Sequence, residues 1–194
     1  LRYVVFFVLA IFGGYRREEL LGFEFRDFNF TTNVVTVERV SLYDPAHGIF
    51  TGPPKTARSH RSLKLPVWIF DMVKALRAEQ SMRRMELGDQ WHESGRLFTK
   101  LDGSPARPGD FYDWGKELCK RHGLPWYGIH QFRHLNASLL IANHTDVRTV
   151  SAALGHSQTS TTLNIYSHAF ETAQAEASAG LAAALPVNFG KKKA

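Results

Sequence analysis

Leu154-Gly155-His156-Ser157-Gln158-Thr159-Ser160-Thr161-Thr162-Leu163-Asn164-Ile165-Tyr166-Ser167-His168 is the stretch on which the reading of this chain turns. It runs from the end of one predicted helix into the next. Asp146 stands where a carboxylate can cap a helix over 147–154, accepting from the backbone N–H groups that a helix start leaves open. The pattern is helical again over 160–169. Tyr166 follows His156 by ten residues. By itself a tyrosine at that distance is more often a core residue than a nucleophile, so its meaning depends on what else the chain carries.

Three other segments give it that context. They are Gly14-Tyr15-Arg16-Arg17-Glu18-Glu19-Leu20, then Lys55-Thr56 followed by Arg58 and Arg61, then His130-Gln131-Phe132-Arg133-His134. Each is weak alone, since arginines near helix starts and lysines in turns are usually solvated. Together they fit one chemistry. His130 and Arg133 stand at i and i+3 and project from one helical face. Arg16 adds a second guanidinium fork, and such forks match phosphate oxygens two at a time. A phosphodiester under attack gathers negative charge on its non-bridging oxygens. Donors aimed there stabilise the transition state more than the ground state, and losing one costs roughly 3–4 kcal/mol.

A tyrosine nucleophile needs a proton acceptor, because ionising an ordinary phenol at neutral pH costs about 4 kcal/mol. His130 and His156 are the candidates for that base. Lys55, desolvated against the phosphate, is the candidate acid for the leaving alkoxide. A phosphotyrosyl ester stores the bond for a later hydroxyl to attack, so neither ATP nor a metal nor any other cofactor is implied.

Composition frames this reading. Lys and Arg number 24 against 18 Asp and Glu, a net charge of +6 that favours a polyanionic partner. Fourteen Phe and four Trp supply a core. Cys119 is the single cysteine, which excludes an internal disulfide and fits a reducing, cytoplasmic setting. The apolar opening over 1–12 contains Arg2 and falls short of the ~20 residues a bilayer span needs, so it reads as a buried helix ended by Gly13 and Gly14. The Asn-x-Ser/Thr matches at Asn136 and Asn143 read as accidental.

Further helices are predicted over 17–22, over 66–87, over 109–122 with Phe111, Trp114 and Leu118 at helical spacing, over 129–142 with Leu135, Leu139 and Leu140 inward, and over 172–185. Strand-like runs at 34–40, 49–51 and 62–65 predict one small antiparallel sheet of three strands. The fold class is α+β, a mainly helical domain. The basic stretch Arg58, His60, Arg61 and Lys64 reads as an exposed hairpin edge facing DNA.

The ordered set Gly-x-Arg-x-x-Glu-Leu, a lysine in a β-turn, His-x-x-Arg-His, and Leu-Gly-His leading through Ser and Thr to Tyr resembles the catalytic domain of tyrosine site-specific recombinases, the phage integrase family. The resemblance covers roughly 1–170, with 171–194 as a C-terminal helix and basic tail. It implies Arg16 as the first catalytic arginine, Glu19 and His134 as supporting residues, Lys55 as general acid, His130 and Arg133 as the His-x-x-Arg pair, His156 against the scissile phosphate, and Tyr166 as nucleophile of a 3′-phosphotyrosyl intermediate. It implies Arg58 and Arg61 as DNA contacts, double-stranded DNA as partner, and self-association through the segment after the nucleophile. Gln131 and Phe132 depart from the commoner Asp-Leu pair, at positions that point away from the His–Arg face. The core-binding domain that usually precedes this one is expected to be absent.

Two other classes compete. His130 and His134 make an i, i+4 pair of the kind that ligates zinc, but Arg133 sets a cation between them and no glutamate follows His130. A catalytically silent DNA-binding regulator would not need a nucleophile. A type IB topoisomerase would share the chemistry.

Overall fold

In the computed structural model the apolar opening stretch is α1 (Arg2–Gly13), the centre of the core. The structure describes residues 1–54, 56, 59–156 and 158–184, with backbone alone at 168 and 169. Val5, Phe6, Leu9 and Ala10 of α1 are buried. Phe6 stacks on Phe111 at a centroid distance of 4.0 Å and meets Phe98 edge-on at 5.2 Å. Each such fully buried side chain contributes roughly 1.5–3 kcal/mol relative to exposure. No described helix is long and apolar enough to cross a membrane.

Gly14 ends α1 in the left-handed region (φ 57°), and Gly13, its last residue, is glycine for a steric reason. A Cβ there would overlap the Tyr15 ring, so glycine lets Tyr15 fold back into the core and turns the chain into α2 (Arg17–Gly22). A 3-10 turn (Phe25–Asp27) leads to the strands. β1 (Phe28–Asn29), β2 (Val34–Thr36) and β5 (Ser62–Lys64) form a three-stranded antiparallel sheet, with Val34 opposite Lys64 and Val35 opposite Leu63.

The run at 34–40 is not one strand, however. It breaks after Thr36, and Val40 opens β3 (Val40–Asp44), which pairs with β4 (Gly48–Gly52) in a separate hairpin. The break falls where Arg39 turns inward, its Nη1 2.6 Å from Asp27 Oδ2. Val35 and Val37 are buried on one face of the first ladder, whereas Val40, of opposite parity, begins the ladder with Gly52.

The rest is helical: α3 (Val67–Leu87), α4 (Pro108–Arg121), α5 (His130–Ala142), α6 (Val147–Leu154) and α7 (Thr159–Ala184). Asp146 caps α6 as expected, accepting from Arg148 N and Thr149 N at 3.0 Å each. The two helices predicted at the C-terminus meet at a kink at Tyr166 (φ −117°, ψ 21°), earlier than the sequence suggests.

The inward face of α5 corrects the sequence reading. Leu135 and Leu139 are 44% and 48% exposed. Arg133, Asn136, Ala137 and Ile141 face inward instead. The reason lies in α1, against which α5 packs. Asn136 Nδ2 donates to the carbonyls of Ile11 (2.8 Å) and Phe12 (3.1 Å), satisfying acceptors that the end of α1 leaves open. Asn136 is thereby buried, which agrees with reading its sequon match as accidental. A smaller core of Ala137, Ile141, Val150, Leu154 and Tyr166 joins α5, α6 and α7.

Candidate active site

Two buried arginines gather the motif segments. Arg133, 3% exposed on α5, donates from Nη1 to Gly14 O at 2.7 Å and from Nη2 to Leu154 O at 2.6 Å. One guanidinium thus fixes the α1–α2 junction and the end of α6. Arg61 follows the same logic. Its Nε donates to Ala153 O at 2.7 Å, while Nη1 and Nη2 reach Glu19 Oε1 and Oε2 at 3.0 Å each.

Glu19 is the carboxylate that Arg61 bonds, and its charge also acts on Arg133. It is 1% exposed. It also accepts from the backbone and side chain of Arg16, at 2.9 Å and 2.8 Å. Arg16 caps α2 with its side chain half-exposed, one nitrogen anchored to Glu19. Burial alone would raise the Glu19 carboxyl, yet the hydrogen bonds and charge of Arg61, with help from Arg16, hold it below the usual carboxylate range.

The opening stretch of the sequence is built around a left-handed residue. Gly155 ends α6 at φ 67°, a conformation that costs a non-glycine residue roughly 1–2 kcal/mol. It turns His156 back over the end of the helix, where His156 N donates to Ser151 O at 3.0 Å and Nδ1 lies 2.7 Å from Thr162 Oγ1. Tyr166 sits one turn beyond Thr162, at the kink of α7. Its ring packs in the smaller core at 7% exposure, and its hydroxyl lies 2.8 Å from His134 Nδ1. His130 is exposed at the start of α5, its ring edge-on to His134 at 4.9 Å.

The electrostatics have one sign. Burial pushes Arg133 down to about 9, with Arg16 and Arg61 adding to the effect, so it stays a cation at neutral pH. His156 is pushed down to about 4, first by burial and then by Arg133, Arg16 and Arg61. His130 is lowered by burial, then by His134, Arg133 and Arg16. Burial raises Tyr166, opposed by Arg133. Such an excess of positive charge is relieved by an anion.

Beside it opens a cleft of about 410 Å³ lined by His60, Arg148, His156 and Thr159 among others. Among the described residues, no group of three or more His, Cys, Asp or Glu side chains is placed to hold a metal ion. His130 and His134 do stand close, but His134 Nδ1 is engaged by Tyr166.

The structure therefore brings together Arg16, Glu19, Arg61, His130, Arg133, His134, His156 and Tyr166. Lys55 and Arg58 lie outside the described residues. Arg61 is a correction: it is 8% exposed and bound to Glu19 and Ala153 O, not part of an exposed edge facing DNA. Sequence reasoning named His130 and His156 as bases for Tyr166, whereas the residue that touches the hydroxyl is His134. The available signal was its position, four residues from His130 and next to Arg133 on the same helix.

A fold and site of this kind define a class. The chain is similar in fold to the Tn1549 transposon integrase, solved in complex with transposon right end DNA (TM-score 0.73, 24% identity, 88% of this chain and 56% of that one). It is also similar to the XerA recombinase (TM-score 0.64, 16% identity, 90% and 61%). Residues 1–173 match the phage integrase family, and the chain belongs to that family. A tyrosine recombinase XerC-like protein of Caldanaerobacter subterraneus subsp. tengcongensis is 31% identical over 173 residues, 84% of this chain and 44% of the relative. The ICEBs1 integrase of Bacillus subtilis is 26% identical, over 91% of this chain and 47% of the relative. The chain thus spans less than half the length of these two relatives.

Proposed function

We propose that this chain cuts and rejoins double-stranded DNA in site-specific recombination, with Tyr166 as the covalent nucleophile. The observation that carries the reading is the placement of the Tyr166 hydroxyl. It is held by a histidine, within the field of Arg133, in a site where three guanidiniums face one buried carboxylate. A core tyrosine would not need that setting. The integrase and recombinase names of the relatives agree with it.

In this reading Arg16 and Arg133 bind the non-bridging oxygens of the scissile phosphate, and His130 and His156 contribute further donors. Glu19 and Arg61 hold Arg16 in place. The Tyr166 oxygen attacks phosphorus, a 3′-phosphotyrosyl bond forms, and the bond to the 5′-oxygen breaks. Lys55 protonates the departing 5′-oxygen. The reverse step, attack by a 5′-hydroxyl, rejoins the strand. Arg58, with Arg148 and His60 at the neighbouring cleft, contacts flanking phosphates, so binding falls steeply with salt.

Self-association completes the proposal. From Glu171 to Ala184 every residue of α7 but Ala173 is exposed, as suits a segment that packs on a neighbouring protomer. Deletion after Phe170 is expected to leave single-site DNA binding intact and weaken pairing of two sites in gel-shift assays.

The test of the central claim is a duplex nicked close to the cleavage site, which traps the covalent intermediate. The wild-type chain is expected to give a protein–DNA adduct and Tyr166→Phe none. Binding without adduct from either would instead make the protein a silent DNA-binding regulator.

A further inference from the structure

We propose that His134 is a catalytic residue of this site, the group that accepts the proton of Tyr166 as the phosphotyrosyl bond forms and returns it on rejoining. The inference rests on the reading of Tyr166 as nucleophile and adds the base that this reading needs.

Contact decides among three histidines. His134 Nδ1 is 2.8 Å from the Tyr166 hydroxyl oxygen, inside the range for direct proton transfer. Neither His130 nor His156 has a hydrogen bond to Tyr166. His156 directs Nδ1 to Thr162 Oγ1 instead, and His130 touches His134 ring edge to ring face. The groups around the phenol favour the transfer. His134 and Arg133 come from α5, and the ring is walled by Ala137, Ile141, Val150 and Leu154 of α5 and α6. The half-buried imidazole is therefore directed at one acceptor task by its neighbours. Arg133, whose charge already favours the ionised phenol, stands ready to steady the phenolate as it forms.

The step balances without a further reagent. The phenolic O–H bond breaks and its proton passes to His134 Nδ1, giving an imidazolium. The oxygen forms its bond to phosphorus while the phosphorus–O5′ bond breaks, and Lys55 supplies the proton for the leaving oxygen. In rejoining, the 5′-hydroxyl gives its proton to Lys55, and imidazolium His134 returns its own to the departing tyrosine. The ring must carry its resting proton on Nε2.

Substitutions at His134, a sulfur-bridged substrate and an isotope measurement test this. Asn places an oxygen near the Nδ1 position and can accept the hydrogen bond, but it cannot take the proton. On the nicked duplex, His134→Asn and His134→Ala are both expected to slow adduct formation roughly 100-fold or more, with DNA binding retained. Replacing the 5′-bridging oxygen by sulfur removes the need for an acid. It is expected to restore Lys55→Ala and to leave His134→Asn slow.

Cleavage by His134→Asn within a few-fold of wild type would overturn the proposal, leaving a positioning role. Rescue of His134→Asn by the sulfur substrate would also overturn it, since it would place His134 on the leaving group. In the wild-type protein, nitrogen NMR of labelled histidine is expected to show His134 Nδ1 unprotonated and perturbed by Tyr166→Phe. A protonated Nδ1 at neutral pH would overturn the proposal without any histidine variant. Absence of adduct from wild type would instead sink the reading of Tyr166, and that outcome is visible separately.

Discussion

Two regions of this molecule bury arginines, and they do so to opposite ends. Around Arg39 and Arg96 the charges close on themselves. Arg39 meets Asp27 at 2.6 Å and Glu24 at 3.5 Å. Arg96 donates to Gly22 O at 2.7 Å and lies close enough to both carboxylates to feel them. The two inward cations face two anions, exposed Arg26 also reaches Glu24 at 2.6 Å, and the result ties the β3–β4 hairpin and the loop at Arg96 to α2. Around Arg133 the balance is left open. Among the described residues Arg16 and Arg61 pair with Glu19 alone, and Arg133 donates only to carbonyl oxygens. The first arrangement is finished without a ligand. The second is held rigid by its hydrogen bonds and remains electrostatically incomplete, which is what a phosphate site in a low-dielectric setting requires.

The sharpest way to break this comparison is Arg133→Lys. Charge is kept, but a single ammonium cannot bond Gly14 O and Leu154 O and still present a planar fork. Adduct formation is expected to fall about 10²–10³-fold, measured by single-turnover cleavage with the folded fraction checked by circular dichroism. Near-normal cleavage would mean that position-independent charge is enough.

Glu19→Gln should act on both stability and chemistry, because it leaves buried Arg61 without its anion. Removing one partner of a buried pair costs roughly 3–5 kcal/mol, to be read by urea unfolding. Its acid dependence has a definite sign. A carboxyl held below its ordinary pKa in the fold contributes stability above that ordinary value, and the contribution is lost as pH falls through the folded value. The wild-type chain should therefore lose stability on acidification through the carboxylate range more steeply than Glu19→Gln.

At the closed network, Asp27→Asn should cost about 3 kcal/mol and leave the cleavage rate of the folded molecules unchanged. Glu24 remains as a partner for Arg39, which places the loss at the low end of that range. A changed rate would show that the two regions communicate, and that the contrast drawn between them is too simple.

What the sequence disclosed follows the same division. The helices were legible because their apolar periods and stop signals are local: Gly14 after α1, Asp146 before α6, Gly155 after it. The separate β3–β4 hairpin was not, since the valines of 34–40 carry no mark of their partners, and Val35 pairs with Leu63 while Val40 pairs with Gly52. At the site, residue identities were legible because the phosphate chemistry proposed for them needs those types together. Their contacts were less so. Arg61 has the composition of an exposed basic edge and is instead a strut, because the anion that captures it stands 42 residues earlier. Leu135 and Leu139 have the spacing of core residues, but α5 gives its inner face to Arg133 and Asn136. In each case a polar partner distant in sequence outweighed a local apolar pattern.

His156 offers the finest test of the open charge balance. In the fold it is held near 4 by burial and by the surrounding guanidiniums, against an ordinary value of 6.5. The fold therefore favours the neutral ring. The stability this gives is complete above the ordinary value and is lost as pH falls from 6.5 through about 4. A phosphate brought against Arg16 and Arg133 offsets the guanidinium part of the depression, though not the part due to burial. The histidine value should then rise, so DNA binding near pH 5.5 should take up protons, and affinity should strengthen as the solution is acidified from 6.5 toward that point. Titration calorimetry in two buffers of different ionisation enthalpy reads the uptake directly, and His156→Gln should reduce it. No uptake would mean that the guanidiniums remain unneutralised in the complex, and the phosphate would have to sit elsewhere.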